Sequence, residues 1–278
     1  MPVNLLLCEG YASSPDARVL NRVLAGLCAI RPLGGKYGMG DRVKAGRDVL
    51  RQPQPTVFGL LDGDFPADWN MPAGRPRTWI GSDQTMLGWR WERKEIENYL
   101  IDPEVVRRAL GAVAPPAGNY QAVLERARDR VSTYQAARLA LVVNRPRFRP
   151  MANSFGRQYS ALGHLMPDNF DEDTCLKGIR QVVGEHNSGQ AVVIQAVETE
   201  FQTRRIECET GGTRFSHFLT SFAGKDLLLA MSDDLQAFGF ASPAVFLEKV
   251  LSGIDNATDN VALWLAEWTT LRQFVDGA

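Results

Sequence analysis

Two short apolar runs, each ending abruptly in carboxylates beside a glycine, constrain this chain more than anything else in it. The first lies in Asn4–Asp16, NLLLCEGYASSPD, and the second in Val57–Pro66, VFGLLDGDFP. A buried strand delivers acidic side chains to the C-terminal edge of a sheet in this way, so Glu9, Asp62 and Asp64 are expected to meet there. Periodicity alone does not separate strand from buried helix over so few residues. The β-branched Thr56 and Val57, and the Gly and Pro at the ends of the runs, decide for strands.

The segments between the two runs keep the same grammar. Pro15–Ala29 repeats apolar residues at helical spacing, with Val19, Leu20, Val23, Leu24, Leu27 and Cys28 on one face and Ser14 as N-cap before a proline at the first helical position. Ile30–Leu33 reads as a short second strand. Gly34, Gly35, Gly38 and Gly40 then turn the chain into a helix over Asp41–Leu50. GGKYGMG has neither the GK[ST] ending of a P-loop nor the place of a dinucleotide fingerprint after the first strand, so it reads as a tight turn. Strand, helix, strand, helix, strand predicts an α/β fold, a parallel sheet flanked by helices.

Further on, Thr78–Ile80 reads as a brief strand, and Asp102-Pro103-Glu104 has the cap, proline and first-turn acid of a helix start. The preceding Glu95–Ile101 is therefore extended or turning; if extended, Glu95 and Glu97 point one way and Ile96 and Asn98 the other. Around Ala114-Pro115-Pro116 the pattern becomes mainly helical, with helices expected over Tyr120–Val143, Glu172–His186, Ala191–Glu209, Lys225–Phe238, Pro243–Leu251 and Asn260–Phe274. The reading is a domain over 1–112 and a mainly helical region over 113–278.

A net charge of −1 gives no overall attraction to nucleic acid or anionic membranes but leaves room for a local basic groove. The four cysteines are scattered, without a CxxC pair or a histidine at zinc-site spacing, which argues against structural zinc. The N-terminus lacks a signal-peptide pattern, and no apolar run approaches the roughly 20 residues that cross a bilayer. A cytoplasmic protein with no membrane role is expected.

Glu9 with an Asp-x-Asp pair is a hard-oxygen donor set suited to Mg²⁺ or Mn²⁺. Gly63 between the aspartates is expected to let a phosphate approach the backbone. The plainer reading of DGD is an acidic turn; the repetition of strand followed by acid at Glu9 favours the metal site. Arg145, Arg147 and Arg149 around Phe148 are candidates for holding a nucleic-acid backbone, or else a solvated loop.

With Glu9-Gly10 after the first strand and Asp62-Gly63-Asp64 after the third, the chain resembles the TOPRIM family shared by topoisomerases, primases and OLD-family nucleases. The literal Glu95-Ile96-Glu97-Asn98-Tyr99-Leu100 and the later Gly224-Lys225-Asp226-Leu227-Leu228 are similar to elements of its OLD-like, PARIS-type members from bacterial defence loci. The match covers roughly the first 110 residues and one later helix. It departs at Tyr11–Pro15, which separate Asp16 from the Glu-Gly pair more widely than in those relatives.

The resemblance implies a Rossmann-like TOPRIM sheet and an Mg²⁺-dependent effector nuclease acting on tRNA or DNA and controlled by an ABC- or SMC-like ATPase. It gives Glu9 the role of ligand or general base, makes Asp62 and Asp64 ligands and Glu97 a further ligand or a group that orients the ligands, and leaves Glu95 and Asp16 as secondary candidates. Lys225 would neutralise the scissile phosphate, or else is an ordinary exposed lysine at a helix start, and the helix around 224–238 would pack back on the first domain. A homodimer stays open. Two other readings compete: a non-catalytic TOPRIM module that binds nucleic acid or an ATPase, and a phosphotransferase or phosphatase using an Asp-x-Asp nucleophile. The last would normally place its aspartates after the first strand and leaves Glu9 without a role.

Overall fold

The computed structural model describes residues 3–50, 56–64, 71–145, 151–159, 164–187 and 192–277. The chain divides into two compact units. Met1–Asp64, Met71–Ala117 and Leu247–Ala278 make up the first, and Gly118–Phe246 is the bulk of the second.

In the first unit, β1 (Leu5–Cys8), β2 (Ala29–Pro32), β3 (Val57–Leu61), β4 (Arg77–Ile80) and β5 (Met86–Arg90) form one sheet in the order β2-β1-β3-β5-β4. β1 is parallel to β2 and β3, β3 is parallel to β5, and β4 closes the edge antiparallel to β5. The α/β expectation is met: a five-stranded, mostly parallel sheet with helices precedes a largely helical region. The chain steps from β1 outward to β2 and then crosses to β3 on the other side of β1. This reversal is a topological switch point, the position beyond the strands' C-terminal ends at which open α/β sheets take their ligands.

The helices in chain order are α1 (Pro15–Val23), α2 (Met39–Leu50), α3 (Glu97–Leu100), α4 (Pro103–Leu110), α5 (Ala117–Val143), α6 (Glu172–His186) and α7 (Ile194–Cys208). They continue with α8 (Thr213–Ser216), α9 (Phe218–Ser221), α10 (Gly224–Ala230), α11 (Ser232–Ala237), α12 (Pro243–Asp255) and α13 (Ala266–Asp276). Ser14 caps α1 by accepting from the Ala17 amide, and Asp102 caps α4 by accepting from the Glu104 amide at 2.9 Å, as their positions before proline predicted. α1 stops at Val23, short of the expected Ala29, and the chain leaves it through Gly26 at φ +78°.

Alternation along β1 and β3, with an irregularity of the β4–β5 register that skips Leu87, sorts the core into two layers. Leu7, Val57, Leu61 and Leu87 meet Met39 and Val43 of α2 on one face. On the other, Phe58 lies 5.1 Å from Trp89, whose ring stacks on Phe274 of α13 at 6.0 Å. Leu6 and Leu20 are fully buried, each contributing roughly 1.5–3 kcal/mol of apolar burial.

The C-terminal segment thus belongs with the sheet, although the sequence places it with the helical region. The Val3 amide donates to the Val275 carbonyl at 2.9 Å, and Arg18 of α1 pairs with Glu248 and Asp255 of α12 at 2.8 and 2.5 Å.

In the second unit α5 carries Tyr134, Gln135 and Arg138 into the core. Tyr134 donates to the Leu165 carbonyl at 3.0 Å, holding a hairpin of β6 (Arg157–Tyr159) and β7 (His164–Met166) that the sequence reading missed. The helix expected over Lys225–Phe238 is broken into α10 and α11. Among the described residues no helix is long and apolar enough to cross a membrane.

Candidate functional site

Glu9 follows β1 directly and Asp62 follows β3, so the parallel pairing of Cys8 with Leu60 brings the two acids to one edge at the switch point. The Asp62 amide donates to Glu9 Oε1 at 3.2 Å. Gly10 turns the chain away at φ +77°, where a methyl group would lie 2.3 Å from Ser14 Oγ, so only glycine fits. The same methyl group would lie 3.5 Å from Asp16 Oδ2. The five residues that separate Asp16 from the Glu-Gly pair fold into a turn, closed by the Ser14 amide donating to the Tyr11 carbonyl at 2.9 Å. Asp16 therefore stands beside the same edge despite its longer spacing.

Asp64 has φ +53°, a left-handed conformation that aspartate tolerates better than most residues. Its amide donates to the Lys94 carbonyl at 3.1 Å, and the Gly63 amide donates to the Arg93 carbonyl at 3.2 Å. The reason for glycine at position 63 differs from the expected one. What comes close to its α-carbon is the chain itself: a methyl group there would lie 2.3 Å from the Arg93 oxygen and 3.0 Å from the Trp91 oxygen.

Two cations that sequence reasoning passed over complete the edge. Lys36 Nζ lies 2.6 Å from Asp64 Oδ2, and Arg90 Nη1, at the end of β5, lies 3.9 Å from the same oxygen. Lys36 sits in the GGKYG segment read as a bare turn; its presence there was the only available signal. Burial raises the Glu9 pKa; the Asp62 amide opposes this, Asp64 reinforces it, and Lys36 and Arg90 oppose it. The Cys8 thiol beneath is pushed up to about 12 by burial and by the charges of Asp16, Asp62 and Glu9.

Of the two readings for Glu95–Ile101, extended or turning, the second holds: the segment is a turn followed by α3, so the alternation that an extended segment would give Glu95 and Glu97 is absent. Asn98 Oδ1 accepts from the Glu95 amide at 3.1 Å, closing the turn. Glu97 opens α3 and is buried, as is Lys94. Arg93 is clamped by the Asn98 carbonyl at 2.9 Å and by Asp102 at 2.7 Å, with its guanidinium 4.9 Å from the Tyr99 ring centre. EIENYL is thus the scaffold that holds the Arg93–Lys94 backbone against the DGD loop.

Below it, Glu267 of α13 accepts from the Glu92 amide and from the Tyr99 hydroxyl, both at 2.7 Å. Burial pushes its carboxyl up to about 7, against the opposing effect of these two bonds. Nothing in the local sequence marks Glu267.

Lys225 lies in the first turn of α10 in the second unit and is half-buried. The GKDLL element there has a structural reason. Asp226, fully buried, accepts from Gln135 Nε2 and Arg138 Nη1 of α5, both at 2.5 Å. Arg145 is exposed just beyond α5. Arg147, Phe148 and Arg149 lie outside the described residues.

The donor chemistry of Glu9, Asp62 and Asp64 fits Mg²⁺, which takes only one or two protein carboxylates and completes its octahedron with water and phosphate oxygens. Among the described residues no group of three or more His, Cys, Asp and Glu side chains converges as it stands to hold an ion. Glu9 and Asp62 instead meet through the Asp62 amide, and Asp64 turns to Lys36. A scan against protein-family models and a search of curated proteins return no match.

Proposed function

We propose that the first unit is a divalent-metal-dependent phosphodiesterase, a nuclease of TOPRIM type. What supports the reading above all is the edge at the switch point, where Glu9 and Asp62 are joined at 3.2 Å and Asp64 carries the two cations. Glu9, Asp62 and Asp64 would hold Mg²⁺ or Mn²⁺, with Glu97 as a further ligand. When bound, the metal supplies Lewis-acid stabilisation of phosphate charge and a water of lowered pKa.

The chain's own groups have separate tasks in this reading. Lys36 and Arg90 receive the negative charge of the phosphate, at the edge where it would develop. Glu9 would hold the metal directly, or through the attacking water whose proton it takes. The bond from the Asp64 amide to the Lys94 carbonyl fixes the aspartate's direction before substrate arrives. The family resemblance extends the proposal to a cytoplasmic anti-phage effector that cleaves tRNA or DNA and is held silent by an ABC- or SMC-like ATPase.

The test is growth of bacteria expressing wild type or Glu9→Gln, with total tRNA and genomic DNA examined alongside. Glutamine keeps an acceptor for the Asp62 amide, so the fold is preserved while the charge is lost. Toxicity and broken nucleic acid from wild type alone are expected. Equal toxicity of the two proteins would overturn the site. A second reading, a nucleic-acid-binding module without hydrolysis, is favoured by the Lys36–Asp64 pair, which already neutralises one of the carboxylates; intact nucleic acid in dying cells would select it.

A further inference from the structure

Of all the aromatic side chains among the described residues, only Tyr11 and Tyr37 are exposed, at 73% and 79%. Both belong to the turns that frame the carboxylate edge. Tyr11 is two residues beyond Glu9, and Tyr37 follows Lys36, whose ammonium lies 2.6 Å from Asp64. The turns are tied together by the Gly34 amide donating to the Gly10 carbonyl at 2.7 Å. The Tyr11 ring rests on Gly34: a methyl group on that glycine would lie 3.4 Å from Tyr11 Cε1. One side of the ring is thus supported by backbone while most of its surface faces water.

An aromatic ring kept in water forgoes the large apolar burial that rings elsewhere in the chain obtain. Two such rings at one edge, with Lys36 next to Tyr37 and with Arg90, at the end of β5, facing the same Asp64 carboxylate as Lys36, combine the two elements of a single-strand grip: cations for the phosphates and flat rings for the bases. We infer that the site takes an unpaired nucleic-acid strand, with bases stacked on Tyr11 and Tyr37 and the intervening phosphate carried to Lys36 and Arg90. Bases inside a duplex are stacked on one another and present no free face to these rings. The inference rests on the phosphodiesterase reading and adds the substrate class to it.

The experiment is fluorescence anisotropy with labelled 12-residue oligothymidylate and oligouridylate, and with a mixed-sequence duplex of the same length. Each is titrated with wild type, Tyr11→Leu/Tyr37→Leu and Tyr11→Phe/Tyr37→Phe, and Mg²⁺-dependent cleavage of the three probes is followed in parallel. Wild type is expected to bind the single strands at least tenfold more tightly than the duplex. The leucine variant, of similar bulk but without a π face, is expected to lose about tenfold for single strands while the phenylalanine variant retains wild-type affinity. The tighter of the two single strands identifies the sugar.

Equal affinity for the duplex, or an unchanged leucine variant, overturns the stacking inference and leaves the hydrolase reading standing if cleavage persists. Binding in the expected order without Mg²⁺-dependent cleavage supports the strand grip and overturns hydrolysis. Failure of wild type to bind or cleave any of the probes overturns both.

Discussion

The Gly63 amide donates to the carbonyl oxygen of Arg93 at 3.2 Å, and the two backbones are so close that a methyl group on Gly63 would stand 2.3 Å from that oxygen. This contact joins the loop that carries Asp62 and Asp64 to the segment that leads into α3. Gly63→Ala must push the two apart. A loss of about 1–3 kcal/mol in urea unfolding is expected, together with weaker Mn²⁺ binding. Wild-type stability in this variant would show that the contact is not made in solution.

Asp64 separates charge from backbone strain. Asn tolerates a left-handed conformation and Ala does not, so Asp64→Ala is expected to be less stable than Asp64→Asn by about 1 kcal/mol. The half-exposed pair with Lys36 contributes little to either difference. Both variants are expected to lose at least tenfold in Mn²⁺ affinity by calorimetric titration. Retained affinity in Asp64→Asn would remove Asp64 from the ligand set.

Glu267 predicts a pH dependence of stability. Burial raises its folded pKa to about 7, above the ordinary 4.5, so the folded state holds a proton that the unfolded state has released over that window. Stability from this group therefore falls as pH rises from about 4.5 to about 7 and is level beyond, by at most about 3 kcal/mol. Glu267→Gln keeps an acceptor for the Glu92 amide and a partner for the Tyr99 hydroxyl but does not titrate. Urea unfolding at pH 5, 6 and 8 should show the variant gaining on wild type as pH rises; parallel curves would contradict the assignment.

Asp226 and Lys225, adjacent in sequence, are expected to behave differently. Asp226→Ala leaves Arg138 buried without this carboxylate and is expected to cost about 3–5 kcal/mol. Lys225→Ala, at a half-buried position, is expected to cost about 1 kcal/mol, the usual size for a point substitution. Chemical unfolding of the two variants checks both values, and an unchanged cleavage rate in Lys225→Ala would remove the phosphate role that the family resemblance implies for it.

The sequence by itself determined the parts whose signals are local. The β1 and β3 runs, with abrupt acidic ends and, at β3, the β-branched Thr56 and Val57, carry the strand pattern within a few positions, as do the caps at Ser14 and Asp102 with the prolines after them. The α/β order followed because strand and helix alternate in the chain. From parallel pairing it also followed that Glu9 and Asp62 share an edge.

Only the tertiary structure decided what stands around those acids. Lys36 and Asp64 are 28 residues apart and Glu267 and Tyr99 are 168 apart, separations over which no periodic pattern carries information. Such pairs form because burying the sheet's second face draws α13 onto Phe58 and Trp89, and because β5 inserts beside β3 and sets Arg90 against Asp64. The same packing explains why Gly63 is a glycine and why Glu95–Leu100 turns instead of extending: the Arg93 backbone has to reach the DGD loop. Local preference chooses an element, while burial and the satisfaction of buried polar groups choose its neighbours.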